Sequence, residues 1–158
     1  MSPSLEERLG ILSVAKAIEA YQSMYPNSDM HKLQIEHEGP YIKYEMEGTD
    51  GQTKDQLEIN AHTGAILKEK QKPLKEKYKD PIRREQKALN LEELRPLMEM
   101  NDLARQQVET GTAFQWELDR SNERTVWKIE FSDETGSNIT EIKIDAHDGT
   151  IVQMKLKN

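Results

Sequence analysis

The residues whose chemistry could form a metal or catalytic site are two histidines at matching positions of the chain. His62 and His147 each stand two residues before a glycine. Imidazole can bind zinc or transfer a proton near neutral pH, but catalytic zinc takes three protein ligands. His31 and His37 are isolated in the sequence, so no motif brings a second ligand to either position. The pattern favours two solvent-facing turn residues without a metal; the alternative is a two-histidine site formed by packing one half of the chain on the other.

Each of these histidines lies in a short segment that begins with Asn or Asp and closes on glycine. Asn60 and Gly64 bound the first segment, and Asp145 and Gly149 bound the second. Asn and Asp side chains accept backbone N–H bonds, and glycine supplies the positive φ that closes such a hairpin. A calcium loop would need alternating oxygen ligands and a distal glutamate, which these segments lack. We therefore predict structural turns at these four residues.

The composition narrows the classes of function. The chain of 158 residues has no cysteine, which removes thiol catalysis and disulfides. It has no Gly-rich phosphate loop and no nucleophile motif, and no two carboxylates stand out as an acid/base couple. Its net charge of −7 argues against general nucleic-acid binding. We expect a protein that is not an enzyme and that needs no cofactor or metal.

The elements that carry these turns belong to an internal repeat. Residues 42–70 match residues 127–155 without a gap, and nine of the 29 aligned positions are identical. Self-similarity at a fixed offset, here 85 residues, indicates two copies of one structural unit.

A helical pattern precedes alternating strands in each copy. Ser4–Glu7 has the form of a capping box, and Asn90–Glu93 opens a second apolar stripe, which contains Pro96 and should be kinked or shortened there. Period-two alternation further on predicts an antiparallel sheet with one wet face. Aromatic residues on these strands are more typical of a core than of a ligand platform. They are Phe114, Trp116, Trp127 and Phe131.

The predicted fold is α+β, with two tandem units that each pack a helix on a three- to four-stranded antiparallel sheet. We place the first repeat at residues 1–70, a charged linker at 71–88 and the second repeat at 89–158. The first hairpin should differ between the copies, because the segment from His37 to Ile42 is four residues shorter than the segment from Leu118 to Trp127. Residues 120–124 are thus predicted to form a longer, protruding loop tip.

A basic segment separates the two copies. Residues 68–87 contain nine Lys or Arg against four Asp or Glu, in a chain that is acidic overall. Such a segment can hold anionic lipid headgroups or wall polymers. The alternative is a solvated spacer that keeps two acidic units soluble.

The repeat resembles the PepSY domain. The motif that carries the resemblance is Ile144-Asp-Ala-His-Asp-Gly149-Thr-Ile151, with Trp127-Lys-Ile-Glu-Phe131 on the strand before it, and the first copy departs from it by using Asn60 in place of aspartate. The resemblance implies a secreted or membrane-anchored protein of the bacterial envelope, in the manner of a small lipoprotein, that binds and inhibits or regulates a peptidase. It implies no catalytic residues.

The sequence-level hypothesis for function follows from that resemblance. An exposed strand edge or the tip at residues 120–124 would occupy the cleft of a secreted peptidase through main-chain hydrogen bonds. The alternatives are a scaffold for the wall or membrane surface that uses the basic segment, and a small-ligand site between the units. Because Met1-Ser-Pro-Ser4 leads almost directly into a helical pattern, we expect that an N-terminal leader, with any anchoring cysteine, has been removed.

Overall fold

One antiparallel sheet of eight strands spans the described part of the chain. The structure, a computed structural model, describes residues 3–157; Met1 and Ser2, where the trimmed N-terminus was expected, lie outside that range. The strands lie side by side in the order β4-β3-β2-β1-β5-β6-β7-β8. In chain order they are β1 (Asp29–Glu38), β2 (Tyr41–Thr49), β3 (Thr53–Asn60), β4 (Ile66–Pro73), β5 (Thr112–Ser121), β6 (Arg124–Ser132), β7 (Ile139–Asp145) and β8 (Ile151–Lys157).

The mixed helix and antiparallel-sheet class is confirmed, but the prediction of two separate sheets is wrong. Strands β1 and β5, the first of each repeat, pair with each other at the centre of the sheet. Three residue pairs form this junction: Leu33–Leu118, Gln34–Glu117 and Ile35–Trp116. The physical reason is that the first strand of a separate unit would leave a row of backbone groups unpaired at an edge. Pairing the two edges satisfies the backbone groups at this junction and merges the two cores.

Four short helices and one turn of 3₁₀ helix accompany the sheet within residues 3–157. They are α1 (Leu5–Leu9), α2 (Val14–Met24), the 3₁₀ turn Glu76–Tyr78, α3 (Pro81–Lys87) and α4 (Leu97–Arg105). The Ser4–Glu7 capping box forms and starts α1. The apolar stripe that follows is broken at Gly10, which has a φ of +68°, and Ser13 caps α2 afresh. None of these helices is long and apolar enough to cross a membrane.

The second capping-box pattern does not start a helix. Asn90 accepts a hydrogen bond from the Glu92 N–H, at 3.1 Å, and forms only a local turn. Helix α4 begins at Leu97, directly after Pro96. Proline disfavours helical backbone in the residue before it and has no N–H to donate. Pro96 therefore sets the start of α4 and does not kink it.

The core lies between one face of the sheet and helices α1, α2 and α4. Trp116, Trp127 and Phe131 are buried there, in agreement with their predicted place in the core. The prediction is wrong for Phe114, which is half-buried at the irregularity of β5 between Ala113 and Gln115 and lies outside the residues that pack on this core. The Trp116 indole N–H donates to the Asn101 side-chain oxygen on α4, at 2.9 Å. This bond ties the central strands to the helix layer of the second repeat.

The register of the sheet differs from the gapless sequence match. The second hairpins, β3–β4 and β7–β8, correspond at the offset of 85 residues: Glu58 pairs with Lys68, and Lys143 pairs with Gln153. The first hairpins correspond at an offset of 83, so that the Glu38–Tyr41 pair of β1–β2 is matched by Ser121–Arg124 in β5–β6. The extra residues of the second repeat lie in the β6–β7 loop, 133–138, against 50–52 in the first repeat.

The predicted difference between the first hairpins is therefore wrong. Strands β1 and β2 are joined by residues 39–40, and β5 and β6 are joined by 122–123, two residues in each case. The gapless match had aligned β2 with β6 two residues out of register. Because side chains alternate with a period of two, a shift of two residues leaves the hydrophobic pattern intact. The sequence alone therefore does not reveal the shift.

Candidate functional site

The predicted turn residues adopt the same geometry in both repeats. The Asn60 side-chain oxygen accepts from the His62 N–H at 2.9 Å, and that of Asp145 accepts from the His147 N–H at 2.8 Å. Gly64 and Gly149 have φ values of +81° and +78°, and the N–H of each donates to the carbonyl of the first residue of its turn. A side chain in place of either glycine would be strained by that φ. That side chain would also crowd a leucine of the helix layer, since a Cβ would lie 3.2 Å from Leu12 in the first turn and 3.1 Å from Leu103 in the second.

His62 is more than a solvent-facing turn residue. Its Nε2 accepts from the Ile42 N–H at 3.0 Å, and its Nδ1 lies 2.9 Å from the Gly10 carbonyl oxygen. Both contacts are hydrogen bonds when the proton is on Nδ1 and the ring is neutral. The ring thereby joins the start of β2 to the break between helices α1 and α2.

His147 makes one of the two corresponding links in the second repeat. Its Nε2 lies 2.9 Å from the Glu92 carbonyl oxygen, next to Glu93, which has a positive φ of 54°. Gly10 and Glu93 thus mark equivalent left-handed positions before the main helix of each repeat, and each histidine contacts the carbonyl at or beside that position. No feature of the sequence signals these contacts, because the partners are 52 and 55 residues away.

We expect His62→Ala to lower the free energy of unfolding by about 1 kcal/mol, because two hydrogen bonds between distant segments are lost. Urea unfolding followed by circular dichroism measures this change. His37→Ala is the matched control, since His37 is an exposed histidine on β1 and a surface change of this kind costs less than about 0.5 kcal/mol. Equal stability of the two variants would contradict the structural role of His62.

These histidines do not meet. No group of three or more His, Cys, Asp or Glu side chains within residues 3–157 is arranged to hold a metal ion. Asp148, in the second of the two turns, accepts from the Thr150 N–H at 2.8 Å. This hydrogen bond, together with the nearby Arg124, lowers the pKa of the Asp148 carboxyl group. Asp148 therefore stabilises the turn.

The sheet face opposite the helices is covered with alternating charges. Lys43 illustrates the arrangement: its Nζ lies 2.8 Å from Glu58 and 3.3 Å from Glu36. These hydrogen-bonded carboxylates raise the pKa of the Lys43 ammonium group. In the second repeat, Lys157 bridges Glu130 and Glu141 at 2.8 and 2.7 Å. Ion pairs between neighbouring strands explain how a chain with 32% charged residues forms a stable sheet with only one apolar face.

The basic segment predicted at residues 68–87 is divided between this face and the connector that follows β4. On the edge strand β4, three lysines pair with residues of β3 whose side chains lie on the charged face: Lys68, Lys70 and Lys72. The side chains of these lysines therefore form a row along that face. The pKa of Lys70 is lowered by its like-charged neighbours Lys72 and Lys68. The remaining basic residues lie on or directly beside the 3₁₀ turn and on α3, and these two elements fold back over one end of the sheet.

Within the described residues, the sheet has two edges, β4 and β8, and they differ in chemistry. On β8, Met154 and Leu156 are 51% and 71% exposed and point to the helix side, where they border a cavity of about 420 Å³ with Phe131. The equivalent positions of β4 are Glu69 and Gln71. Sequence reasoning did not single out this apolar edge, although a comparison of the two repeats at these positions would have found it.

The turn at residues 120–124, predicted to be a protruding tip, is held in place by its own arginines. Arg120 donates to the Ala88 carbonyl at 2.8 Å, and Arg124 donates to the Asp145 carboxylate at 3.1 Å. Both side chains therefore stabilise the fold, and this turn is a weaker candidate for partner contact than the β8 edge.

Comparisons with known proteins agree with the repeat and with the fold. The family model described as "Peptidase propeptide and YPEB domain" (PepSY) matches residues 11–70 and 102–154. The crystal structure of a "putative lipoprotein" from Clostridium difficile 630 superposes with a TM-score of 0.89 at 22% sequence identity, covering 99% of this chain and 100% of that one. This likeness extends to the whole eight-stranded arrangement. No curated protein matches the chain in sequence.

Proposed function

Because this chain belongs to the PepSY family, we propose that it is a non-catalytic protein of the bacterial envelope or extracellular space that binds a secreted peptidase and restrains it. The observation that carries the proposal is the match of the family model to both repeats, since the description of that family includes peptidase propeptides. The similarity in fold to a protein described as a "putative lipoprotein" supports the location at the cell surface.

The β8 edge is the surface that we propose for peptidase contact. An edge strand presents backbone N–H and C=O groups that can pair with an extended segment of a partner. Met154 and Leu156 add exposed apolar side chains, which alternate along the strand and can fill pockets of the partner beside the new pairing. A peptidase cleft binds its substrates as extended chains, so a strand edge offers it a matching surface.

The other edge is less suited to this role. The side chains of Lys68, Lys70 and Lys72 follow β4 on the charged face of the sheet, and Glu69 and Gln71 occupy the opposite face. Charged residues on an edge strand, lysine above all, oppose strand addition. The lysines of β8 likewise lie on the charged face, so the two edges differ on the helix side, where β4 has polar residues and β8 has apolar ones. The asymmetry between two copies of the same unit supports a division of roles in which the second copy makes the contact.

The test is an inhibition assay with a secreted peptidase of the source organism. We expect the chain to lower peptidase activity saturably, and we expect Leu156→Lys to weaken the inhibition constant about tenfold or more, because about 1.4 kcal/mol of apolar contact is lost. Leu67→Lys is the matched control, since Leu67 is a 45% exposed leucine on the other edge.

Three outcomes test the β8 edge separately from the inhibitory function itself. A loss confined to Leu156→Lys supports the β8 edge. An equal loss in both variants, or in neither, would reject that edge while leaving the inhibitory function standing. If no secreted peptidase changes its activity or its lifetime in the presence of the chain, the function itself is rejected.

A further inference from the structure

The connector between the repeats encloses a basic cavity against the charged face of the sheet. The cavity has a volume of about 380 Å³ and is bordered by His31, Thr49 and Lys54 of the sheet and by Tyr78, Arg83 and Lys87 of the connector. Among the described residues, none of those that line it is Asp or Glu. A concave site with several convergent cations and no carboxylate in its wall is complementary to an anion.

The cavity is built by specific contacts. Arg84 fixes α3 to the sheet: its Nε donates to the Asp29 carboxylate at 2.8 Å, and its Nη1 donates to the Asp50 carbonyl at 2.8 Å. On either side of α3, the Leu74 N–H donates to Gln52 and the Leu89 N–H donates to Met30, both at 2.9 Å. The walls are therefore held before any ligand arrives, which lowers the entropic cost of binding.

Two of the cations in the wall are not neutralised by carboxylates. Within residues 3–157, no Asp or Glu oxygen comes within 4.0 Å of the charged nitrogens of Arg83 or Lys87, unlike those of Arg84 and Lys54. Arg83 lies over the Tyr78 ring, 4.9 Å from its centre, an arrangement that orients the guanidinium group but leaves its donors available. Lys54 shares Glu47 with Lys32. The site thus has an excess of positive charge.

His31 adds a second, independent observation. It lies at the irregularity in β1, between Met30 and Lys32, and its Nδ1 is buried without a hydrogen-bond partner in the described structure. Burial lowers the pKa of His31; Glu47 opposes that effect, while Lys87, Lys54 and Lys32 add to it. A buried polar nitrogen without a partner is costly, and burial together with the nearby lysines favours the neutral form of the imidazole.

We propose that this cavity binds a phosphate group carried on a larger molecule, with Arg83, Lys87 and Lys54 providing its charge contacts. Phosphate matches the planar donor array of arginine and attracts several cations at once. The volume is larger than a bare phosphate needs, so the remainder accommodates the attached group beside the Tyr78 ring. This site is independent of the β8 edge and of any peptidase.

Calorimetric titration of the intact chain with inorganic phosphate, and separately with soluble poly(glycerol phosphate), tests the proposal. We expect saturable binding of one or both probes, and Lys87→Gln and Arg83→Gln should each weaken it about tenfold. Lys16→Gln is the matched control, because Lys16 is an exposed lysine on α2 and lies away from the cavity. All of these side chains are at the surface, so the variants should fold, and circular dichroism checks that they do.

The same titration identifies the source of the phosphate. Tighter binding of the polymer than of inorganic phosphate supports a phosphodiester chain as the ligand, and the reverse would favour free phosphate and so overturn the part of the proposal that attaches the phosphate to a larger molecule. Absence of saturable binding by both probes would overturn the proposal. So would a loss in Lys16→Gln equal to that in Lys87→Gln, because binding would then be a diffuse attraction.

The protonation of His31 gives a readout that a diffuse attraction would not move. Sulfate serves as the probe, since its charge does not change between about pH 5.5 and 7.5. An anion in the cavity offsets the charges of Lys87, Lys54, Lys32, Arg83 and Arg84, so the pKa of His31, followed by NMR, should rise when sulfate binds. Sulfate binding should accordingly tighten as the pH falls. An unchanged His31 pKa at saturating sulfate would contradict the placement of the anion in this cavity.

Discussion

Replacing Trp116 by alanine is expected to lower the free energy of unfolding by about 3–5 kcal/mol, the usual range for removing a buried aromatic side chain. Trp116 is 2% exposed and pairs with Ile35 across the junction of the two repeats. Its loss leaves a cavity where the two cores merge, and it also leaves the Asn101 side chain without its indole partner. Chemical denaturation measures the total change.

Hydrogen exchange locates that change. If the eight strands unfold as one unit, the slowest amides of β2 in the first repeat should lose the same free energy of protection as those of β6 in the second. Leu156→Ala is the control, because Leu156 is 71% exposed and its truncation should cost less than about 0.5 kcal/mol. If β2 keeps its protection in Trp116→Ala while β6 loses it, the repeats are independent modules and the shared core carries no cooperativity.

The strands and the turns could be predicted because their causes are local. Alternating apolar residues identify the strands, and glycine at positions 64 and 149 identifies where the chain needs a positive φ. The Ser4–Glu7 capping box also forms as predicted. Each of these features depends on residues within a few positions of one another, and the sequence displays them directly.

The junction of the repeats could not be predicted because it depends on what covers a strand edge. β1 contains the run Leu33-Gln34-Ile35, in which all three side chains are buried. In an edge strand, the polar side chain of such a run is expected to face solvent. The burial of Gln34 is therefore consistent with a central strand. The partner, β5, lies more than 80 residues further along the chain, and no short-range pattern identifies it.

The same distinction between local and long-range causes applies to the candidate sites. Lysines in the basic segment were visible in the sequence, but the cavity exists only because Arg84 reaches Asp29, 55 residues away. His31 and His37 looked equally isolated, and only the irregularity in β1 and the fold of the connector place His31 in a cavity wall. Long-range packing therefore decides which charged and titratable residues share a site.

Gly48→Ala is expected to destabilise the chain by about 3 kcal/mol, at the upper end of the range for overpacking. A Cβ at this position would collide with the Tyr21 hydroxyl group and would lie 2.5 Å from the Asp29 carbonyl oxygen and 2.8 Å from the Ser28 Oγ. The first of these groups is a buried phenol whose pKa is raised by burial, and it is hydrogen-bonded to Ser28 at 2.8 Å. Neither it nor the backbone carbonyl can move without disturbing the packing of α2 on β2.

A double-mutant cycle with Tyr21→Phe separates the collision with the Tyr21 hydroxyl from the other two. Without the hydroxyl oxygen, the added methyl group meets mainly the Asp29 carbonyl, so Gly48→Ala should cost about 1 kcal/mol less in the Tyr21→Phe background than in the natural chain. Urea denaturation of the four proteins provides the comparison. The position equivalent to Gly48 in the second repeat is Phe131 by strand register, so the need for glycine arises from the way α2 packs in the first repeat and is not a property of the repeated unit. Equal costs in the two backgrounds would show that the Tyr21 hydroxyl does not make the glycine necessary.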